Sequence, residues 1–462
     1  MTPDNENIPL PMADDALLGP PRRRTSRAVW GLAWPVILAM LSESLVGLVD
    51  MVMVSRLGAS AVAAVGTGGQ ILNAVSIVMS AVGTGTLAIV ARHIGAGEPR
   101  EASAITGQSI VTAATLATAV VLPVALFAPE LVAAFGVEPA VATQGAAFTR
   151  LVMLSVVPGS VLFVIGSALR GAGDTRTPLA ISVVVNIVNV ILNWILIFGH
   201  FGFPALGVRG SAIATTLAFT TGAAIALVLM MSHRGRLGLY AHDFRPHLAT
   251  IRRVLKIGTP TALEQALMQL GFFIYLVFAV RYGTDAVAAY FIGVRILALS
   301  FLPGFGFAAA ASALVGQNLG ADQPEHARRA GWLASAMAVV LMTGAGILIT
   351  LEAEPIARIF VNNPVVVANT VSFIVMLGIA QPFMALDSTL SGALRGAGDT
   401  RFPLLTVLIA FYGVRLGLSW LVVSIGSLGL AWLWATLIGD YVMRALLKGW
   451  RFHAGAWATI RV

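Results

Sequence analysis

The sequence contains no cysteine, so neither a disulfide framework nor a thiolate metal site is open to it. Charge is scarce too: Asp, Glu, Lys and Arg make up 11% of the residues, against about 25% in soluble domains. The seven histidines (His93, His200, His233, His242, His247, His326 and His453) lie between apolar stretches or at their ends, so no buried histidine cluster points to metal chemistry. No Gly-rich loop closing on Lys-Ser or Lys-Thr occurs, which removes the phosphate cradle of an ATP-driven machine. The acids are scattered at different depths rather than gathered with a nucleophile, so the residues argue against an enzyme and call for no cofactor.

Apolar length is what the chain has instead. Hydrophobic residues are 58% of it and the mean hydropathy is +0.87. Continuous runs beyond about 18 residues predict helices that cross about 30 Å of hydrocarbon, since barrel strands alternate and are shorter. The runs fall at 31–54, 62–91, 103–127, 147–168, 179–200 and 210–231, then at 257–280, 286–315, 330–351, 366–394, 403–425 and 427–447. The fold class expected is an all-α integral membrane protein of twelve transmembrane helices.

Those helices fall into two sets of six because the chain is a duplication. Ala-Leu-Arg-Gly-Ala-Gly-Asp-Thr-Arg occurs at Ala168 to Arg176 and again, 225 positions later, at Ala393 to Arg401. The same spacing pairs Pro35 with Pro260, Arg56 with Arg281, Gly58 with Gly283 and Pro99 with Pro324. Six is even, so both copies enter the membrane from one side as parallel repeats. The division predicted is a disordered cytoplasmic tail over 1–29, a first lobe over 30–231, a basic linker over 232–256, a second lobe over 257–448 and a cytoplasmic tail over 449–462. Most of the 29 Lys and Arg sit in the two tails, the linker and the even-numbered connections, which places these and both termini in the cytoplasm. That bias accounts for the net charge of +8 without a nucleic-acid partner. The linker, with Arg234, Arg236, Arg245, Arg252, Arg253 and Lys256, is expected to touch lipid headgroups.

Polar residues inside the spans are the candidates for function, because an acid there costs about 2.5–3.5 kcal/mol on insertion scales. Helix 1 carries Glu43 and Asp50, seven positions apart and therefore on one face, with Pro35 as a candidate hinge. Helix 5 carries Asn186, Asn189 and Asn193 at helical spacing, and Thr215 and Thr216 on helix 6 lie at a similar depth. One carboxylate among amide and hydroxyl oxygens suits a proton or a small hard cation such as sodium. In the second copy the 225 spacing turns Asp50 into Tyr275 and Glu43 into Met268. Glu264, Asp387, Tyr275, Arg295 and Arg415 form a candidate cation or substrate site there, with the two arginines as candidate neutralising partners. Asp440, near the end of helix 12, is expected at the interface.

Pro35, Gly47-Leu48-Val49-Asp50, Asn189 with Leu192-Asn193-Trp194, and the doubled Leu-Arg-Gly-Ala-Gly-Asp-Thr-Arg resemble the multidrug and toxic compound extrusion (MATE) family over residues 30 to about 447. The resemblance implies two six-helix bundles forming a V in the bacterial inner membrane. It also implies antiport of cationic, amphipathic compounds against H+ or Na+ by a chain that needs no ATPase partner and is expected to be monomeric. Asp50 matches the family's helix 1 carboxylate, and Asn189 the helix 5 asparagine of its DinF-type branch. The sequence departs at Asn193, where that branch has an acid, and at Glu43, where the family usually has Gln. The helix 7 and helix 10 acids of the NorM-type branch fall at Met268 and Met384, one turn from Glu264 and Asp387. Two alternatives stay open on the residues: a lipid-linked oligosaccharide or other lipid flippase of the same broad superfamily, and a membrane-embedded enzyme.

Overall fold

A computed structural model describes residues 21–462 with the exception of Arg234 and of Arg461 and Val462 at the end. Among the described residues eleven helices are long and apolar enough to cross a membrane. The count is twelve when the pair Pro139–Met153 and Val156–Gly171, bent by 45°, is taken as one span. In chain order the spans are α1 (Pro21–Ser55), α2 (Ala59–Gly95), α3 (Pro99–Leu126), α4 (the bent pair), α5 (Arg176–Phe198) and α6 (Val208–Met231). The second six are α7 (Leu248–Val280), α8 (Thr284–Ser300 with Leu302–Gly320), α9 (Pro324–Leu351), α10 (Pro364–Gly396), α11 (401–425) and α12 (Leu430–Ala454). Helices are forced here because backbone groups in hydrocarbon have no partners but one another. Pro99, Pro139, Pro324 and Pro364 each open a helix, where a missing N–H costs nothing.

Both Gly-Asp-Thr-Arg turns lie at one end of the bundle, the motif face. Repeat-related contacts join the two lobes near that face. A Cβ on Gly95 would lie 1.9 Å from the Gln317 carbonyl oxygen, and one on Gly320 would lie 1.9 Å from that of Arg92. These are the same contact under the 225 spacing, and so are Gly258 against Ala81 and Gly306 against Ala33. Only glycine admits such an approach of one backbone to another. Toward the opposite face α1 is open: from Ile37 to Met53 it has no buried residue. Over that length α1 is covered only in part, on the side that turns Ser42 and Asp50 toward α5, and its other sides border lipid and the gap between the lobes. The protein is closed at the motif face and open at the other.

Three expected boundaries move. α1 begins at Pro21, so the last nine residues of the expected 1–29 tail are helical, while the remainder lies outside the described residues. The last nine residues of the 232–256 linker are the first turns of α7. The described part of the expected 449–462 tail is ordered against the bundle: α12 runs to Ala454, a 3-10 turn follows, and Trp457 is buried with its indole N–H on the Phe452 carbonyl at 2.7 Å. The linker is fastened to the first lobe. Arg100 donates to both carboxylate oxygens of Asp243, at 2.6 and 3.0 Å, and Gln108 donates to the carbonyls of Asp243 and Arg245. Burial pushes the Asp243 carboxyl up, but the Arg100 and Tyr240 hydrogen bonds and neighbouring charge outweigh it and hold it below the ordinary carboxylate range. Its contribution therefore persists into acid and is lost only as pH falls through that depressed value.

α11 differs from its first-lobe counterpart in one respect: Val407–Leu416 is a π-helix. A π segment accommodates an inserted residue within an α-helix. Before it the copies are 225 apart, as in Arg176 and Arg401, whereas after it Leu418 and Trp420 stand 226 positions beyond Leu192 and Trp194.

Candidate functional site

In the first lobe α1 and α5 present their polar faces to each other. Asn193, fully buried, donates from Nδ2 to Asp50 Oδ1 at 2.6 Å. The Asn189 amide, turned to donate, reaches both carboxylate oxygens at 3.1 Å. Thr215 on α6 lies 3.4 Å from Asn189 and donates its own proton to the Ser211 carbonyl. Asn186 donates to Ser42 at 2.8 Å one step toward the motif face. Thr216 turns away and donates to the Leu151 and Ala212 carbonyls. Glu43 makes no hydrogen bond or ion pair among the described residues and is exposed along α1, outside the cluster. α1 runs unbroken through Pro35.

Two features of this cluster bear on chemistry. No lysine, arginine or histidine among the described residues forms an ion pair with Asp50, so its charge is balanced by amides alone. Asn193 Oδ1 is buried without a hydrogen-bond partner, an acceptor beside a carboxylate with nothing to accept. A proton would need one carboxylate oxygen, and a sodium ion could take the carboxylate with this orphan oxygen.

The second lobe does not assemble its five expected residues into one site. Glu264 is paired with Arg395 at 2.7 Å. Asp387 is bound separately, by Lys448 at 2.5 Å with Arg444 at 3.9 Å. Arg295 is exposed and joins neither acid. Arg415 is 1% exposed, lies 3.6 Å from Asp440 and has its guanidinium 4.3 Å from the centroid of the Tyr275 ring. Asp440, expected at the interface, is fully buried and holds Arg444 through two contacts, at 2.7 and 3.1 Å. Arg415, Arg444 and Lys448 thus outnumber Asp387 and Asp440, and a further cation would be repelled.

Sequence reasoning missed Arg395, Arg444 and Lys448. The signal for the last two was present: Asp440, Arg444 and Lys448 recur every fourth residue, one face of α12.

Under the 225 spacing Asp50 corresponds to Tyr275, and under the 226 spacing reached at the end of the π segment and kept beyond it Asn189 and Asn193 correspond to Arg415 and Ser419. The two places are therefore structural equivalents. One holds a carboxylate between two amides, the other a phenol against a guanidinium.

The family description MatE matches residues 35–195 and again 260–421. The chain belongs to the MatE family. The matches begin at the paired prolines Pro35 and Pro260, and the second MATE match is one residue the longer, as the π segment requires. The chain is 31% identical over 430 residues to the probable multidrug resistance protein NorM of Thermotoga maritima, covering 92% of each chain. It is 29% identical over 429 residues to the multidrug resistance protein NorM of Burkholderia vietnamiensis, covering 91% of this chain and 92% of that one. Among solved structures it superposes on the Vibrio cholerae MATE transporter VcmN with a TM-score of 0.87 at 22% identity, covering 95% of this chain and 99% of that one. An outward-facing multidrug resistance MATE family transporter gives 0.86 at 22%, covering 93% and 96%. The protein is a membrane transporter built on the MATE fold, and not an enzyme.

Proposed function

We propose that the protein is a multidrug efflux transporter that exports cationic or amphipathic organic compounds in exchange for H+ or Na+ at Asp50. The names of the relatives support the drug side of this reading. The observation that carries the coupling side is the half-buried carboxylate balanced by amides alone, with the orphan Asn193 oxygen beside it. The positive-inside bias supports a cytoplasmic motif face, so the open cleft is the side of release.

The site's own residues can register a bound ion. Ionised Asp50 accepts from both Asn193 and Asn189. A proton on Asp50 makes it a donor, and the group best presented at the Asn189 position 3.1 Å away is then the amide oxygen, reached by turning the amide over. Sodium makes the same demand, because it too calls for oxygen. One charge on Asp50 cannot serve drug and coupling ion at once, so binding of one favours release of the other, provided each prefers a different state of the lobes.

Dye export from proteoliposomes under a proton gradient or a sodium gradient, imposed separately, tests this. Export driven by one gradient and lost in Asp50→Asn is expected. Export by neither, or export indifferent to Asp50→Asn, would remove the proposal in favour of lipid translocation.

A further inference from the structure

A second cluster of charge lies outside the ion site, at the motif face of the second lobe. A cleft of about 510 Å³ opens between the first turns of α7, the second Gly-Asp-Thr-Arg turn and the end of α12. Among the described residues Arg253, Lys256, Arg401 and Arg451 line it together with a single carboxylate, Asp399, and the ring of Phe402. That carboxylate is already engaged, accepting from Arg451 Nε at 2.8 Å. Lys256 and Arg401 are exposed, and neither has an ion pair or hydrogen bond among the described residues. Lys256 also lines, with Arg252, a shallow and largely apolar groove of about 450 Å³ along α7 whose other walls are Leu248, Ile251, Leu255 and Thr259.

The first lobe lacks this arrangement although it has the same turn. At the positions 225 residues earlier, Arg253 and Lys256 are replaced by Ala28 and Gly31. The turn's acid is used differently as well: Asp174 accepts from the backbone of Arg176 and Thr177 and from the Thr177 hydroxyl. The cationic cleft is therefore not a by-product of the duplicated fold.

We infer that this cleft is a binding site for an anionic phospholipid, with the phosphate headgroup among Lys256, Arg401, Arg253 and Arg451 and an acyl chain along the α7 groove. The excess of cations selects a headgroup of net negative charge over a zwitterionic one. The adjoining groove, which a free phosphate would leave bare, selects a lipid over a soluble anion. The site also bears on transport, since Lys256 is two residues from Gly258, whose backbone closes against Ala81 between the lobes. A lipid held there braces the turn of α7 that seals the motif face.

Native mass spectrometry of the full chain in detergent tests the inference, with phosphatidylglycerol and phosphatidylcholine offered in equal amounts. Phosphatidylglycerol is expected to be retained in clear excess. Each cation near a membrane surface is worth about fivefold in affinity, so Lys256→Gln with Arg401→Gln should weaken retention about 25-fold. Lys256→Arg with Arg401→Lys should restore it, and the melting temperature without added lipid should not change in either double variant. The single substitutions, at about fivefold each, provide the readout if the double variant expresses poorly. Equal retention of the two lipids, equal retention by wild type and the glutamine variant, or displacement of phosphatidylglycerol by millimolar inorganic phosphate would each overturn it.

Discussion

The two lobes descend from one sequence and place equivalent residues at equivalent positions, yet one leaves a carboxylate waiting for a partner and the other supplies its own. In the first, Asp50 sits between Asn189 and Asn193 with no cation paired to it among the described residues. In the second, Tyr275 faces Arg415, and every buried acid nearby is held by Arg395, Arg444 or Lys448. An uncompensated charge in a low-dielectric interior is free to bind and release a mobile ion. A compensated one is held in place by the full desolvation penalty of breaking its pair. The difference separates a lobe whose central acid is left to amides from one whose central acids are each held by a cation.

The strongest way to break this comparison is through transport itself. Asp50→Asn is expected to reduce export to background while leaving membrane insertion intact, whereas Tyr275→Phe at the equivalent position should keep at least half of it; equal losses would erase the distinction. The next effect is on stability. Asp440→Ala strands Arg444 and Arg415 in the interior and should cost about 3–5 kcal/mol, read as a lower melting temperature in detergent. A melting curve matching wild type would show that the second lobe's charges are not mutually dependent. A double-mutant cycle sharpens the point: Lys448→Met alone leaves buried Asp387 with only the longer contact to Arg444 at 3.9 Å, so adding Asp387→Leu should recover part of the loss. Simple additivity would count against the pairing. The smallest contrast concerns what the lobes share. Gly95→Leu and Gly320→Leu occupy one repeat-related contact and should hinder closure of the motif face alike. Labelling of a single cysteine placed at Ser80, in a chain that has none of its own, reads this out, and unlike responses would show that closure is not two-fold.

Much of the architecture was legible because the physics was one-dimensional. Apolar length marks a span wherever it occurs, and an uninterrupted 225-residue register marks a duplication. The pairing of Asp50 with Asn193 was legible too, since both helices carried polar residues at helical spacing and similar depth. The second lobe was harder. Depth alone put Glu264 and Asp387 at one level, but rotation about each helix axis decides partners, and it sends them to different cations. Asp440 looked interfacial because the apolar run ends near 447, whereas α12 continues to Ala454 and puts Asp440 near its middle. Glu43 shares a face with Asp50 yet borders the open cleft, a consequence of lobe separation that no single helix encodes.

The π-helix at Val407–Leu416 carries a consequence for how the lobes came to differ. Because a π segment absorbs one residue within the helix, removing one residue between 407 and 414 would restore the 225 spacing throughout and leave what lies beyond it where it stands. Arg415 keeps its place beside Tyr275 and Asp440 with or without the extra residue. The guanidinium there is thus the product of a substitution, and the insertion left the match between the two halves intact.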